Sequence, residues 1–145
     1  MRGENMNVLS ATDVRKNWSL VIDNVVREKP VYVKRTRDNV ALINIDTLNE
    51  IMSAYRFYAK SFKEDDGSIT LSTIDMDIVV NERDEESAKK RLAAYIKEYA
   101  EEYYDDYEIM SKAPNRKSHI RYVFKALTLD VEEIEGEIIC QDGKN

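Results

Sequence analysis

The chain has one cysteine, one histidine, two prolines and four glycines among its 145 residues. A lone Cys140 can neither close an internal disulfide nor build a zinc site by itself. So few glycines and prolines leave little room for flexible linkers. Glycine-rich phosphate loops, zinc-ligand spacings and nucleophile elbows are missing from the sequence. No apolar run approaches the roughly 18 residues of a helical membrane span. The opening "MRGENMNVLS" has no apolar core long enough for a secretory signal. The resulting expectation is a cytoplasmic protein with no cofactor and no bound metal, and Met6 is an alternative start because the patterned sequence begins there.

Charge is abundant but unevenly placed. The chain carries a formal net charge of -6, yet residues 1–63 hold 11 Lys/Arg against 7 Asp/Glu, or +4. Residues 64–145 hold 11 Lys/Arg against 21 Asp/Glu, or -10. Such a split reads as two functional halves, the first able to meet a polyanion. The polar cluster "KEDDGS" at 63–68 is the expected boundary, giving domains 1–63 and 64–145.

In the first half, "MNVLS" reads as a short edge strand. Ser10 is placed to cap a helix running to about Glu28, with Val14, Trp18, Val21, Ile22 and Val25 as its apolar stripe. Pro30 prevents further helix. "VYVKRTRDNVALINI" then reads as strand, turn, strand. Asp46 is the expected cap of a second helix striped by Leu48, Ile51, Met52 and Tyr55. A unit of this size with one small sheet is marginal alone, so dimerisation is expected to complete its core.

Cations cluster at two places in this half. Arg15 and Lys16 read as lying in the first turns of the first helix, where the dipole disfavours positive charge. Lys34, Arg35 and Arg37 crowd the hairpin. The clusters are either solvated or held for an external anion; if they share a face, the anion is DNA. Trp18, on the apolar stripe, is expected to be core rather than a base-stacking platform.

The run "VLSATDVRKNWSLVIDNVVREKPVYVKRTRDNVALINIDTLNEI" resembles the N-terminal DNA-binding domain of the Phd/YefM antitoxins. The matching pieces are "SATDVRKN", the "VID" helix end, the strand "PVYVKR", and "VALINIDTL" closing the sheet, within about residues 6–58. The resemblance implies a strand-helix-strand-strand-helix dimer that binds operator DNA, represses its own operon and neutralises a toxin. The family's DNA contacts fall by motif on Arg15 and Arg35. Lys16, Lys34 and Arg37 would add attraction to the DNA backbone. Asn17 matches the family's asparagine and reads as a cap or surface residue.

The second half departs from the short, poorly folded tail of that family. Ile69, Leu71 and Thr73 alternate and Ile78–Val80 is apolar, together a candidate hairpin. Asp84 or Asn81 can begin a long helix with Ala88, Leu92, Tyr95, Ile96, Tyr99 and Tyr103 on its apolar side. "APNRKSHIRYVFKALTL" reads as another helix, Pro114 near its start, with Ile120, Val123, Phe124 and Leu127 in register. "DGSITLS", "DIVVN" and "DEESAKKRLAAYI" are similar to the HicB-like antitoxin domain over about residues 66–100, which implies a folded module for partner binding or oligomerisation. The expected class is therefore α+β throughout.

Four tyrosines, 95, 99, 103 and 107, recur at helical spacing and read as core, with an exposed partner surface as the alternative. Glu98, Glu101, Glu102, Asp105, Asp106 and Glu108 read as a solvated face; a divalent-metal site and a cover for the basic site of a toxin are the sharper alternatives. His119 reads as a surface or satisfied histidine, not a catalytic one. The leading reading is an antitoxin and autorepressor. Behind it stand a protein-interaction module without an operator and a metal-dependent nuclease using Asp75 or Asp77. The leading reading has no catalytic residues and is not an enzyme.

Overall fold

The Ser10 hydroxyl accepts a hydrogen bond from the Asp13 N–H at 3.1 Å and so starts the first helix where its sequence position predicts. In the computed structural model, which describes residues 8–143, strand β1 (Val8–Ser10) runs into helix α1 (Ala11–Lys16). Met6 and Asn7 lie outside the described residues. The helix then breaks. Asn17 leaves helical geometry (φ -117°, ψ 36°), and both its backbone and side-chain N–H groups donate to the Asp13 carbonyl, at 3.0 and 3.1 Å. Its amide competes with the helix ladder. What reads as one helix from Ser10 to Glu28 is therefore two, and α2 (Trp18–Arg27) follows.

Strands β2 (Val31–Arg35) and β3 (Asp38–Leu42) pair antiparallel, and β1 lies parallel to β2 on its other side. Helix α3 (Ile45–Met52) follows. Its cap is Asn44, not Asp46: the Asn44 side-chain oxygen accepts from the Asp46 N–H at 2.8 Å. Asp46 instead occupies the first turn, and Tyr55 lies beyond the helix end. The core is small. Val14, Val21, Val25, Val31 and Val33 are buried, with Leu9, Ala11 and Leu42 against them.

Two compact units divide between Ile51 and Met52. The second contains strand β4 (Phe57–Lys63), which was not anticipated. It pairs antiparallel with β5 (Ile69–Thr73) and parallel with β7 (Ile138–Asp142). The turn "KEDDGS" is thus the tip of the β4–β5 hairpin rather than the boundary at 63/64. Gly67 takes φ +87° there, and Asp66 accepts from the Ser68 N–H at 2.9 Å. With β6 (Val79–Glu82), the sheet order is β6-β5-β4-β7.

Asp84, of the two candidate caps, starts helix α4 (Glu85–Asp105), accepting from the Ser87 N–H at 2.7 Å. Ala88, Leu92, Ala93, Ile96, Ala100 and Tyr103 are buried along it, in one core with Phe57, Leu71 and Val80 of the sheet. Burying a side chain such as Leu92 contributes about 1.5–3 kcal/mol. A short helix α5 (Tyr107–Met110), a 3-10 turn at Lys117–His119 and helix α6 (Ile120–Leu127) come next. Helix α6 starts after Pro114, which lies among turn hydrogen bonds such as Lys117 N–H to the Ala113 carbonyl at 2.9 Å. Lys97 from α4 donates to the Ala126, Leu127 and Leu129 carbonyls, closing the end of α6. Helix α7 (Val131–Gly136) opens with an Asp130–Glu133 capping box. The class is α+β with two mixed sheets.

Candidate nucleic-acid interface

Lys34 stands opposite Ser10 in the β1–β2 register, so the basic end of β2 lies beside the start of α1. Arg35 closes β2 opposite Asp38, with Thr36 and Arg37 forming the turn between them. Thr36 has φ +56°, a left-handed conformation that a β-branched residue rarely adopts. Arg15, Lys16, Lys34, Arg35 and Arg37 are all exposed.

Arg15 and Lys16 prove to sit in the last turn of a six-residue helix, because Asn17 ends it. Cations are favoured at a helix C-terminus. The expectation that they oppose the dipole is therefore corrected, and it no longer argues for an external anion.

A different feature brings the two arginines together. Ala11, Val14, Trp18, Val33, Val40 and Leu42 line an open apolar recess of about 440 Å³, with Arg35 and Asp38 on its rim. Arg15 borders its extension over Ala11, Val14, Trp18 and Val33. Arg35 also makes a 3.7 Å ion pair with Asp38, both side chains about three-quarters exposed. Such a pair is worth little and leaves Arg35 available to a stronger anion. Lys16, Lys34 and Arg37 do not line the recess.

Trp18 is 52% exposed, which overturns its expected place in the core. It opens α2 just past the break at Asn17 and stands at the recess with Val40, itself 54% exposed. An asparagine between two apolar stripes was the one sequence signal for this.

In the second unit, His119 is buried and satisfied. Its Nδ1 lies 2.6 Å from the Tyr99 hydroxyl, and that hydroxyl accepts from Arg116 at 3.1 Å. Burial pushes the His119 pKa down; Asp77 opposes that and Arg116 adds to it. Asp77 itself is exposed and takes φ +57°. Among the described residues no three His, Cys, Asp or Glu side chains are grouped to hold a metal ion. Of the tyrosine stripe, Tyr103 is buried and Tyr99 partly so, while Tyr95 and Tyr107 are exposed. Desolvation raises the Cys140 thiol pKa, so its nucleophilic thiolate is disfavoured.

A family model described as "Antitoxin of toxin-antitoxin, RelE / RelB, TA system" matches residues 6–139. The chain belongs to this antitoxin family. A solved structure from Syntrophomonas wolfei subsp. wolfei, described as an antitoxin part of a proposed toxin/antitoxin system, is 34% identical to it. That similarity covers 95% of this antitoxin and 100% of the other chain, with a TM-score of 0.90. No curated protein matches significantly. No helix among the described residues of the antitoxin is long and apolar enough to cross a membrane.

Proposed function

We propose that the chain is the antitoxin of a type II toxin–antitoxin system, which neutralises a cognate toxin and binds operator DNA to repress its own operon. The carrying observation is that Arg15 and Arg35, far apart in sequence, border adjoining apolar recesses that share Ala11, Val14, Trp18 and Val33. This unit acts as a Phd/YefM-type DNA-binding domain. A guanidinium fork grips phosphate or bonds a guanine edge in two places. Lys16, Lys34 and Arg37 add attraction to the DNA backbone.

A homodimer fits this role. The five buried valines make a slender core, and the recess leaves Trp18 and Val40 in water. A second copy covering that apolar surface would repeat the basic rim about a twofold axis, as a palindromic operator requires. The second unit serves partner binding. The role is regulatory rather than enzymatic, as the family match supports.

A promoter fusion tests both halves of this function. The region upstream of the gene drives a reporter, with the chain supplied from a second plasmid. Repression is expected, with relief in the Arg15→Ala/Arg35→Ala variant. That variant should still rescue cells expressing the toxin of the same operon. Repression that survives the double substitution would refute the assigned contacts.

A further inference from the structure

The C-terminal end of α4 carries charge of the wrong sign. Glu98, Glu101, Glu102, Asp105, Asp106 and Glu108 are all exposed. A helix C-terminus favours cations, yet the last turn of α4 has none. Glu98 and Glu102, and Glu101 and Asp105, stand four residues apart, where like charges repel. Among the described residues none of the six carboxylates is in an ion pair. The arrangement is unfavourable in the free chain and becomes favourable against a cation-rich surface.

Beside it lies an ordered aromatic surface. Tyr104 is 57% and Ile109 72% exposed. Phe124 of α6 meets the rings of both Tyr104 and Tyr107 edge to face, at centroid distances of 6.4 and 5.8 Å. Tyr107 is braced in turn by the buried Tyr103 at 6.2 Å. The rings are held before any partner arrives, which lowers the entropy lost on binding. Exposed, rigid tyrosines are the residue type that dominates interface energies.

We propose that Tyr104, Tyr107 and Phe124, flanked by the carboxylates of residues 98–108, dock a folded protein partner that is basic around an apolar patch, namely the toxin. This rests on the antitoxin reading above. Nucleic acid is repelled by the flank, and the same face of a second copy would set carboxylates against carboxylates. Lys117 and Arg121 line a recess together with Tyr107, and Arg121 stacks over the Tyr55 ring at 5.4 Å.

Calorimetric titration of the full chain with the purified toxin protein of the same operon tests this. Tyr104→Ala should weaken binding roughly tenfold or more. Glu101→Lys/Asp105→Lys should weaken it most at low salt and flatten the salt dependence. Operator binding and circular dichroism should stay unchanged in all of them. Wild-type binding that every variant retains would overturn the docking face and leave the antitoxin reading standing. Absence of wild-type binding would remove that reading, and the docking face with it. A lower oligomeric state in Tyr104→Ala, with toxin affinity unchanged, would assign the face to self-association and overturn the inference.

Discussion

The Tyr99 hydroxyl lies 2.6 Å from Nδ1 of the buried His119, a hydrogen bond whose direction follows the tautomer of the ring. The groups facing the imidazole are Tyr99, Arg116, Asp77 and Asp75. Burial leads the downward shift, so the folded pKa lies below the ordinary 6.5. A His pKa that is lower folded than unfolded means stability is fully present above 6.5 and is lost as pH falls toward the folded value. Urea midpoints of the second unit should therefore decline on acidification below that point, and His119→Asn should flatten the decline. A wild-type midpoint that rises on acidification would contradict the sign.

Thr36 holds a backbone conformation suited to glycine, between Arg35 and Arg37. Strain of this kind stores about 1–3 kcal/mol. After the extra chain entropy of glycine is subtracted, Thr36→Gly should stabilise the hairpin by about 1 kcal/mol. Amide exchange in β2 and β3 should slow by roughly fivefold. If the strain also aims the two arginines, operator affinity falls in the same variant.

Lys125 is 5% exposed, and its ammonium meets the Glu137 carboxylate and the Tyr55 carbonyl. Arg56 approaches the same carboxylate oxygen at 3.5 Å, as an ion pair rather than an aligned hydrogen bond. Glu137 is about one-third exposed, so water screens part of the loss. Lys125→Met should cost about 2–3 kcal/mol, below the range for a fully buried pair. Adding Glu137→Gln should recover part of it, which urea unfolding of both variants would show.

Trp18 is the single tryptophan and stands at the apolar recess, so its fluorescence reports whatever covers that surface. Dilution of the wild-type chain should shift its emission to the red as a dimer separates. Val40→Asp should keep the red-shifted emission at every concentration while the circular dichroism stays native. A concentration-independent spectrum would count against a dimer through this surface.

Legibility in the sequence followed the strength of local signals. Ser10 and Asp84 were readable as caps, and strands β2 and β3 from their composition, because each rests on neighbours in the chain. Strand β4 was hidden because Tyr55 continues the period of the preceding helix and masks the alternation that starts at Phe57. The interruption at Asn17 reversed the dipole argument for Arg15 and Lys16, and Trp18, the first residue after it, is exposed rather than core. The basic residues themselves were visible. That Arg15 and Arg35 border adjoining recesses was not, because it depends on how α1 lies over β2. Helix α7 and strand β7 were missed, although "DVEE" carries the capping-box spacing.

The central claim is that the first unit reads operator DNA through Arg15 and Arg35. Fluorescence anisotropy of the full chain, with duplex from upstream of its own gene and a scrambled duplex across a salt series, tests it most directly. Specific binding is predicted, falling steeply with salt as counterions are released. Arg35→Ala should weaken it by about 1–3 kcal/mol if that side chain reads a base, and Arg15→Ala/Arg35→Ala should abolish the preference over scrambled DNA. Equal affinity for both duplexes at low salt, or a double variant that binds as the wild type does, would contradict the account.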